Sequence, residues 1–355
     1  MTTGRPRLSL CIATYNRSAF LGAMLESIIG QVTNECEIVV SDNASTDDTA
    51  EVVATFARRF DRVRYFRQDE NKGIDRNFDR AVEISSGEYC WLLPDDDVIK
   101  PDAVATILDA LRQGWSLITL NVEFMDFTLS RVIQRGVTFQ SDRVYEPEEM
   151  DRLYTDAHKL NGYIGSFVIR RSIWLARDRQ RYFGTDFIHI GVIYQRRLPG
   201  KALLLSRPLV SMRMGNAHEW WSRMFDISMS FPQLVLSLAL SESIKREARQ
   251  QKPWRNAVLL LWLRALGAYS LREYQRDIQP KLQRFREMLT PRLVASLPVP
   301  LVHTLFVLFL RLTRRSVGGS SPEWLLEVLR ESRIQRRDQP TGPADRSDVI
   351  EAGSR

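Results

Sequence analysis

Three consecutive carboxylates, Asp95–Asp97, follow the apolar run at residues 88–93. Adjacent carboxylates repel one another, so at the end of a buried strand they are costly unless a cation neutralises them. A Mg²⁺ or Mn²⁺ ion bound by one or two carboxylates and by substrate phosphates would do so. The alternative is an exposed acidic turn before a helix, whose N-terminus favours negative charge. The three acids alone leave both interpretations open.

Polar clusters also follow the first two apolar runs of the chain. ATYNRS occupies residues 13–18 and SDNASTDDT occupies residues 41–49. In the second cluster, Asp42 and Asn43 could take the ribose hydroxyls or the base edge of a nucleotide, although an ordinary helix-capping loop would suit the same residues. Further along, Arg76 stands early in a predicted helix, from which its guanidinium could reach a diphosphate.

Predicted strands and helices, which would position these clusters, alternate along the chain. Strands are predicted at 8–14, 36–42, 63–68 and 88–99, and helices at 18–30, 45–60, 73–87 and 101–114. This alternation predicts an α/β fold with a mostly parallel sheet and helices on both faces. Because such sheets bind ligands outside the carboxyl ends of their strands, we expect the polar clusters to meet at one edge.

The composition and charge of the chain indicate a globular protein with one basic region. With 44% hydrophobic and 26% charged residues, the chain can form a globular protein with a sizeable core. Its three cysteines lack metal-type spacing and are interpreted as buried free thiols. The N-terminus shows no apolar leader, which predicts a cytoplasmic start. Residues 1–240 hold 29 basic and 31 acidic side chains, whereas 241–337 hold 19 and 8, so the latter region is a candidate for contact with an anionic surface.

Taken together, these motifs resemble the family 2 glycosyltransferases of GT-A fold. The matching pieces are TYNR at 14–17, VVSDNASTDDT at 39–49, NKGIDRNFDRA at 71–81 and DDD at 95–97. The resemblance covers roughly residues 7–115, and it is specific to the superfamily rather than to one sugar. The chain is also similar to the abequosyltransferase-like branch, whose acidic motif is likewise a run of Asp after Leu-Leu.

The resemblance implies roles for individual residues. The nucleotide-sugar-binding positions would be Thr14, Tyr15, Asn16, Arg17, Asp42, Asn43, Arg76 and Asp95. The acidic run corresponds to the DxD motif, which binds the metal and the donor diphosphate. Because Pro94 stands where many members have the first Asp, either Asp95 and Asp97 form the pair or Asp96 and Asp97 act alone. We favour Asp96 and Asp97 as ligands of Mn²⁺ or Mg²⁺, with Asp95 on the ribose or behind the ligands.

An acidic residue further along would act as the general base of an inverting transfer. The resemblance points to Asp186, which follows a glycine and a threonine before a predicted helix. The alternative is that Asp186 only caps that helix. Gly165 and Ser166 lie in a stretch that looks like the acceptor-side segment of the family, where a glycine lets the backbone approach a sugar.

Residues 212–223 supply three further candidates. The resemblance offers His218 as another metal or diphosphate ligand, and the indoles of Trp220 and Trp221 suit the faces of acceptor sugars. The alternative is a surface histidine with two tryptophans that pack the C-terminal helices onto the core.

The sequence therefore predicts three regions. Residues 1–240 form the GT-A catalytic domain, with a nucleotide-binding half at 7–115 and an acceptor half at 116–240. Residues 241–337 form a basic helical region, and residues 338–355, which are polar and rich in Pro and Gly, are predicted to be disordered.

The predicted function is transfer of a sugar from a nucleotide-diphosphate sugar to a hydroxyl of a glycan or lipid-linked glycan. The first alternative is a metal-dependent nucleotidyltransferase, although ATYNRS lacks the usual glycine-rich phosphate loop. An alternative of another class is a non-catalytic membrane-surface or nucleic-acid-binding protein that uses the basic helices. We expect no nucleic-acid partner, because these basic residues accompany Leu and Phe.

The predicted location is cytoplasmic, with peripheral attachment to the inner face of the cell membrane. The run at 297–315 sets an apolar stretch against Arg311, Arg314 and Arg315, which suits an interfacial helix on anionic headgroups. The alternative is that the apolar helices are buried against the catalytic domain and the arginines form a solvated rim.

Overall fold

The computed structural model describes residues 4–216, 218–314 and 320–338, without the side chains of 218, 219 and 331–338. The predicted disordered tail falls on residues 339–355, apart from Asp338 at its start, and so lies outside the described residues.

Ten strands lie within the described residues and join one sheet. They are β1 (Leu8–Thr14), β2 (Cys36–Asp42), β3 (Val63–Arg67), β4 (Tyr89–Pro94), β5 (Val98–Ile99), β6 (Leu117–Met125), β7 (Val132–Arg135), β8 (Arg143–Tyr145), β9 (Phe167–Arg170) and β10 (Ala202–Arg213).

The helices of the described residues fall into two groups along the chain. Those before residue 240 are α1 (Ser18–Ile29), α2 (Thr49–Ala57), α3 (Ile74–Ile84), α4 (Ala103–Leu111), α5 (Met150–Asp156), α6 (Arg171–Leu175), α7 (Ile188–Tyr194), α8 (His218–Ser222) and α9 (Met224–Leu236). Those after it are α10 (Glu242–Gln250), α11 (Ala257–Leu266), α12 (Leu271–Glu273), α13 (Phe285–Ser296), α14 (Val299–Thr313) and α15 (Pro322–Asp338).

The sheet is mixed, with the order β3-β2-β1-β4-β9-β6-β10-β5. Strands β3, β2, β1 and β4 are parallel neighbours, whereas β9 runs antiparallel between β4 and β6. The register pairs Thr14 with Asp42 and Ala13 with Pro94. The carboxyl ends of β1, β2 and β4 therefore meet at one edge of the sheet, as the sequence predicts.

The first half of the fold follows from simple apolar patterns. Every residue of β1 and β2 is buried, as expected for parallel strands covered on both faces. Helix α1 buries Leu21, Met24, Leu25 and Ile28, which share one helical face. Helices α1 and α2 pack together, and α3 packs on β1 and β2 after crossing from β3 to β4. These features confirm the predicted α/β fold with helices on both faces.

The helices after residue 240 form a second layer that closes against the first. Helix α11 ends at Gly267, whose φ of 77° is readily adopted by glycine, and it packs against α13 and α14. Helix α15 contacts α14, α8 and β7. Rings of Phe225 and Tyr269 stack at 5.1 Å across the two layers. The division of the chain at residue 240 stays a prediction.

Within the described residues, no single helix has both the length and the apolar composition needed to cross a membrane. Helices α13 and α14 reach that composition only as a pair, and they are bent by 101° at their junction.

Candidate active site

A cavity of about 590 Å³ opens at the edge where β1, β2 and β4 end. Its walls come from the loop after β1, the segment that leads into α3, the acidic run after β4, the loop before α7 and the end of β10 with α8. One further wall residue, Trp324, comes from α15. Segments distant in sequence therefore converge on one space large enough for a small-molecule ligand.

Asp96 and Asp97 of the acidic run have different hydrogen-bond partners. The two oxygens of Asp97 are engaged: Oδ1 accepts the backbone N–H of Arg213 at 2.6 Å, and Oδ2 accepts the hydroxyl of Tyr163 at 2.5 Å. Asp96 accepts a hydrogen bond from the amide of Asn216 at 2.8 Å and lies 3.8 Å from Arg17 Nη1. All three carboxylates line the cavity.

Burial disfavours the ionised forms of all three acids. Burial, with a further contribution from the charge of Asp96, raises the pKa of Asp95 to about 7. Burial raises the pKa of Asp97 well above its ordinary value. Burial also raises the pKa of Asp96, although the guanidinium of Arg17 opposes the shift. A bound cation would favour the ionised forms of these acids.

Two arginines border the acidic run. Arg17 Nη1 donates to the backbone oxygen of Asn216 at 2.8 Å, so the loop after β1 is tied to the end of β10. Arg213, which the sequence analysis missed, donates from Nε to the backbone oxygen of Asp96 at 2.8 Å and lies over the ring of Phe127. No local pattern marks Arg213, because β10 reaches the acidic run from more than 100 residues away.

Asp186 also lines the cavity, where it pairs with Arg223. The guanidinium of Arg223 donates two hydrogen bonds to the carboxylate, at 3.1 and 2.6 Å. The side chain of Asp186 is 8% exposed and that of Arg223 is 48% exposed. Burial raises the pKa of Asp186, and Arg223 opposes that shift. The cavity therefore contains a carboxylate whose pKa is raised above its ordinary value.

The backbone at Asp186 is held in an uncommon conformation by a second buried acid. Its φ is 64°, a region that non-glycine residues seldom adopt. Asp75 accepts the backbone N–H groups of Asp186 at 2.9 Å and of Ile188 at 3.1 Å. The cap of α7 is therefore supplied by Asp75, and the side chain of Asp186 makes no capping bond to that helix. Burial raises the pKa of Asp75 to about 6, although the hydrogen bonds from those two N–H groups lower it.

The predicted nucleotide-binding residues divide into two sets. Thr14, Tyr15, Arg17, Asn43 and Asp95 line the cavity. The hydroxyl of Thr14 is buried beside the carboxylate of Asp95 and opposes the rise in the pKa of that acid. Lys72, which the sequence analysis did not single out, joins them from the segment before α3.

The other predicted residues of this set make contacts within the protein. Asn16 accepts the backbone N–H of Thr46 at 2.7 Å, which links the loops after β1 and β2. Asp42 accepts the backbone N–H of Ser45 at 2.9 Å and the hydroxyl of Tyr65 at 2.5 Å.

Arg76 lies over the ring of Phe183 at 4.3 Å. The roles predicted for Asn16, Asp42 and Arg76 in donor binding stay predictions.

On the acceptor side, the structure places Tyr163 at the cavity and packs the two predicted residues behind it. Gly165 and Ser166 are buried. A Cβ atom at Gly165 would lie 2.3 Å from the Tyr163 hydroxyl, so this glycine makes room for the side chain that donates to Asp97. Acceptor binding by Gly165 and Ser166 stays a prediction.

Three tryptophans form an aromatic wall of the cavity. Trp220 and Trp221 line it together with Trp324. The rings of Trp221 and Trp324 meet edge to face at 5.4 Å, so Trp221 also packs α15 onto the catalytic part, as the alternative interpretation held. The side chain of His218 lies outside the described residues. Among the side chains that are described, no three His, Cys, Asp or Glu converge as metal ligands.

Comparison with known proteins defines the class. Residues 9–179 match the sequence profile described as Glycosyl transferase family 2. The abequosyltransferase RfbV of Salmonella typhimurium is 28% identical over 295 residues, which is 76% of this chain and 87% of that protein. A Campylobacter jejuni GalNAc(5)-diNAcBac-PP-undecaprenol beta-1,3-glucosyltransferase is 34% identical over 112 residues, 31% of this chain and 36% of the relative.

A solved structure supports the fold. The crystal structure of S. aureus TarS 1–349 in complex with UDP-GlcNAc superposes with a TM-score of 0.53 at 12% identity, over 95% of this chain and 93% of that one.

These comparisons, together with the fold and the cavity, support a nucleotide-sugar-dependent glycosyltransferase with the GT-A fold. Residues 9–179 belong to glycosyl transferase family 2, and the resemblance to the abequosyltransferase-like branch is confirmed.

Proposed function

We propose that the cavity binds a nucleotide-diphosphate sugar beside the acceptor hydroxyl that attacks it. The observation that carries this proposal is that the acidic run and Asp186 line the same cavity. The nucleotide would occupy the side formed by Thr14, Tyr15 and Asn43. The TarS structure, which shares this fold, was solved with the nucleotide sugar UDP-GlcNAc.

The diphosphate would lie between the acidic run and the basic side chains at its rim. Arg17 and Lys72 line the cavity there and can pair with phosphate oxygens. Asp95 and Asp96 would hold a Mn²⁺ or Mg²⁺ ion, because both carboxylates line the cavity beside the space proposed for the diphosphate. Such an ion would offset the charge that grows on the leaving diphosphate. Asp97 is less accessible, since both of its oxygens already accept hydrogen bonds; metal ligation by Asp97 and by His218 stays a prediction.

Asp186 is proposed as the general base. It would take the proton from the acceptor hydroxyl while the new bond to C1 forms and the bond from C1 to the diphosphate oxygen breaks. Attack from the side opposite the diphosphate inverts C1. In this structure Arg223 occupies the carboxylate, so the base becomes free only when that ion pair opens. The diphosphate is an anion that can compete for Arg223.

We further propose that the acceptor is a glycan or a lipid-linked glycan presented at the cytoplasmic face of a membrane. Support comes from the Campylobacter relative, whose name specifies an undecaprenol-linked acceptor. The wall of Trp220, Trp221 and Trp324 suits stacking against sugar rings.

Donor binding tests this proposal before any acceptor is known. Thermal unfolding would be followed with UDP, GDP, dTDP and CDP, each with Mn²⁺. A ligand at 100 times its Kd stabilises the folded state by about 2.7 kcal/mol, so one diphosphate should raise the melting temperature by several degrees. Asp96→Asn should abolish that rise, and Asp102→Asn, an exposed acid of the next loop, should keep it. No rise with any diphosphate would contradict the proposal.

A further inference from the structure

Helices α13 and α14 expose an unusual number of large apolar side chains. Seven of them are at least half exposed, from 50% to 74%, and we call them the leucine face: Phe285, Leu289, Leu293, Leu301, Leu305, Leu308 and Leu312. Within each helix the members recur every three or four residues, so they share one side of that helix. Clusters of large, exposed apolar side chains mark interaction sites in soluble proteins.

Both helices turn this face away from the protein. Their opposite sides pack on α11 and on the segment that follows it. The hydroxyl of Tyr269 donates to the backbone oxygen of Pro291 at 3.0 Å, and Arg264 Nε donates to that of Leu297 at 2.7 Å. Val302 and Phe306 are buried on the inner side of α14. The leucine face is therefore the outer surface of a layer anchored to the catalytic part.

The charged side chains around the leucine face are basic, apart from one acid that is already paired. Exposed arginines stand on both helices and at their ends: Arg284, Arg286, Arg292, Arg311 and Arg314. None of these five makes an ion pair among the described residues. The one acid of the two helices, Glu287, is paired with Arg255 at 3.2 Å. An apolar centre with a cationic rim complements anionic headgroups above an acyl layer.

We propose that the leucine face lies in the interface of a bilayer that contains anionic phospholipid. The seven apolar side chains enter the acyl boundary, and the arginines pair with lipid phosphates. Helix α14 contacts α15, which carries Trp324 into the cavity wall. Attachment through this face therefore connects the membrane surface to the cavity wall through α14 and α15. Only the advantage of this arrangement to the enzyme, and not membrane attachment itself, rests on the proposed function.

The test is flotation of the full chain with vesicles of phosphatidylcholine alone or with phosphatidylglycerol. The first variant, L293S/L312S, removes one strongly exposed leucine from each helix. Its matched control, V144S/L271S, removes two exposed apolar side chains elsewhere. A second variant, R286Q/R292Q/R311Q, removes rim charge without altering the leucines. Circular dichroism and the melting temperature establish that each variant is folded.

The wild-type chain should float with anionic vesicles, and less so as salt rises. L293S/L312S should weaken vesicle binding about tenfold or more, since it removes apolar area from the lipid contact. The arginine variant should lose the preference for anionic vesicles, and the control should bind as the wild type does. A wild-type chain that never floats, or an L293S/L312S variant that floats equally well, would overturn the proposal.

Two further measurements distinguish a failure of the membrane proposal from a failure of the proposed function. Donor hydrolysis in solution should be the same in all of these variants, because none of the changed residues lines the cavity. Failure of hydrolysis in the wild type would count against the proposed function and not against the leucine face. If the wild type dimerises without vesicles, does not float and becomes monomeric as L293S/L312S, the face is an interface between two copies and the membrane proposal is wrong.

Discussion

The pair formed by Asp186 and Arg223 allows the proposed general base to be separated from a structural ion pair. Asp186→Asn keeps the size of the side chain and the backbone contacts to Asp75, but it removes the group that takes the proton. Arg223→Gln breaks the same ion pair and leaves the carboxylate in place. The two variants therefore differ in one respect that matters for proton transfer.

The expected magnitudes differ accordingly. Because Arg223 is 48% exposed, solvent screens the pair, and either variant should lower the free energy of unfolding by about 1 kcal/mol or less. Loss of a positioned general base typically costs about 10²–10⁴ in rate. Asp186→Asn should therefore lose transfer by that factor while it still binds nucleoside diphosphate. Arg223→Gln should retain turnover well above Asp186→Asn.

The pH profile gives an independent check. Burial raises the pKa of Asp186 and Arg223 lowers it, so Arg223→Gln should move the acidic limb of kcat/KM against pH, which reports the free enzyme, to higher pH. The assay is release of nucleoside diphosphate in the presence of acceptor, with urea unfolding of each variant. Equal loss of transfer in both variants, or a wild-type rate in Asp186→Asn, would refute the assignment of Asp186 as base.

Three further predictions follow from the buried acids. Asp95→Ala or Asp96→Ala should abolish turnover and weaken nucleoside diphosphate binding in Mn²⁺, and full activity in EDTA would refute the metal proposal. Tyr163→Phe removes the donor to the buried Asp97 and should lower the free energy of unfolding by about 1.5–3 kcal/mol in urea titrations. Since the pKa of Asp75 is raised to about 6, its carboxylate binds a proton at a higher pH in the folded chain than in the unfolded chain. Its contribution to stability should rise as pH falls from 7 towards 4, and Asp75→Asn should flatten that part of the stability profile; an unchanged slope would contradict it.

The fold of the first hundred residues was predictable because its signals are local. Apolar runs and helical spacing predicted the strands and helices up to α4. The predicted strand at 88–99 was wrong only in that it was continuous. The chain breaks it into β4 and β5 at the acidic run, where Asp97 accepts hydrogen bonds from Tyr163 and from the backbone of Arg213. The meeting of polar clusters at one edge followed from the parallel order of β1, β2 and β4.

The residues that complete the cavity could not be predicted in the same way. Arg213, Tyr163 and Arg223 reach their partners from more than 30 residues away, and no spacing in the sequence pairs them. Trp324 enters the wall only because α15 folds back onto α8. The capping role of Asp75 at α7 likewise depends on tertiary contact.

The most direct test of the central claim is release of nucleoside diphosphate from a panel of UDP-, GDP-, dTDP- and CDP-sugars with Mn²⁺. The wild-type chain should release diphosphate from at least one donor, slowly to water and faster with a glycan acceptor, and Asp96→Ala should release none above background. Background rates for the wild type across the whole panel, with and without acceptors, would contradict the account.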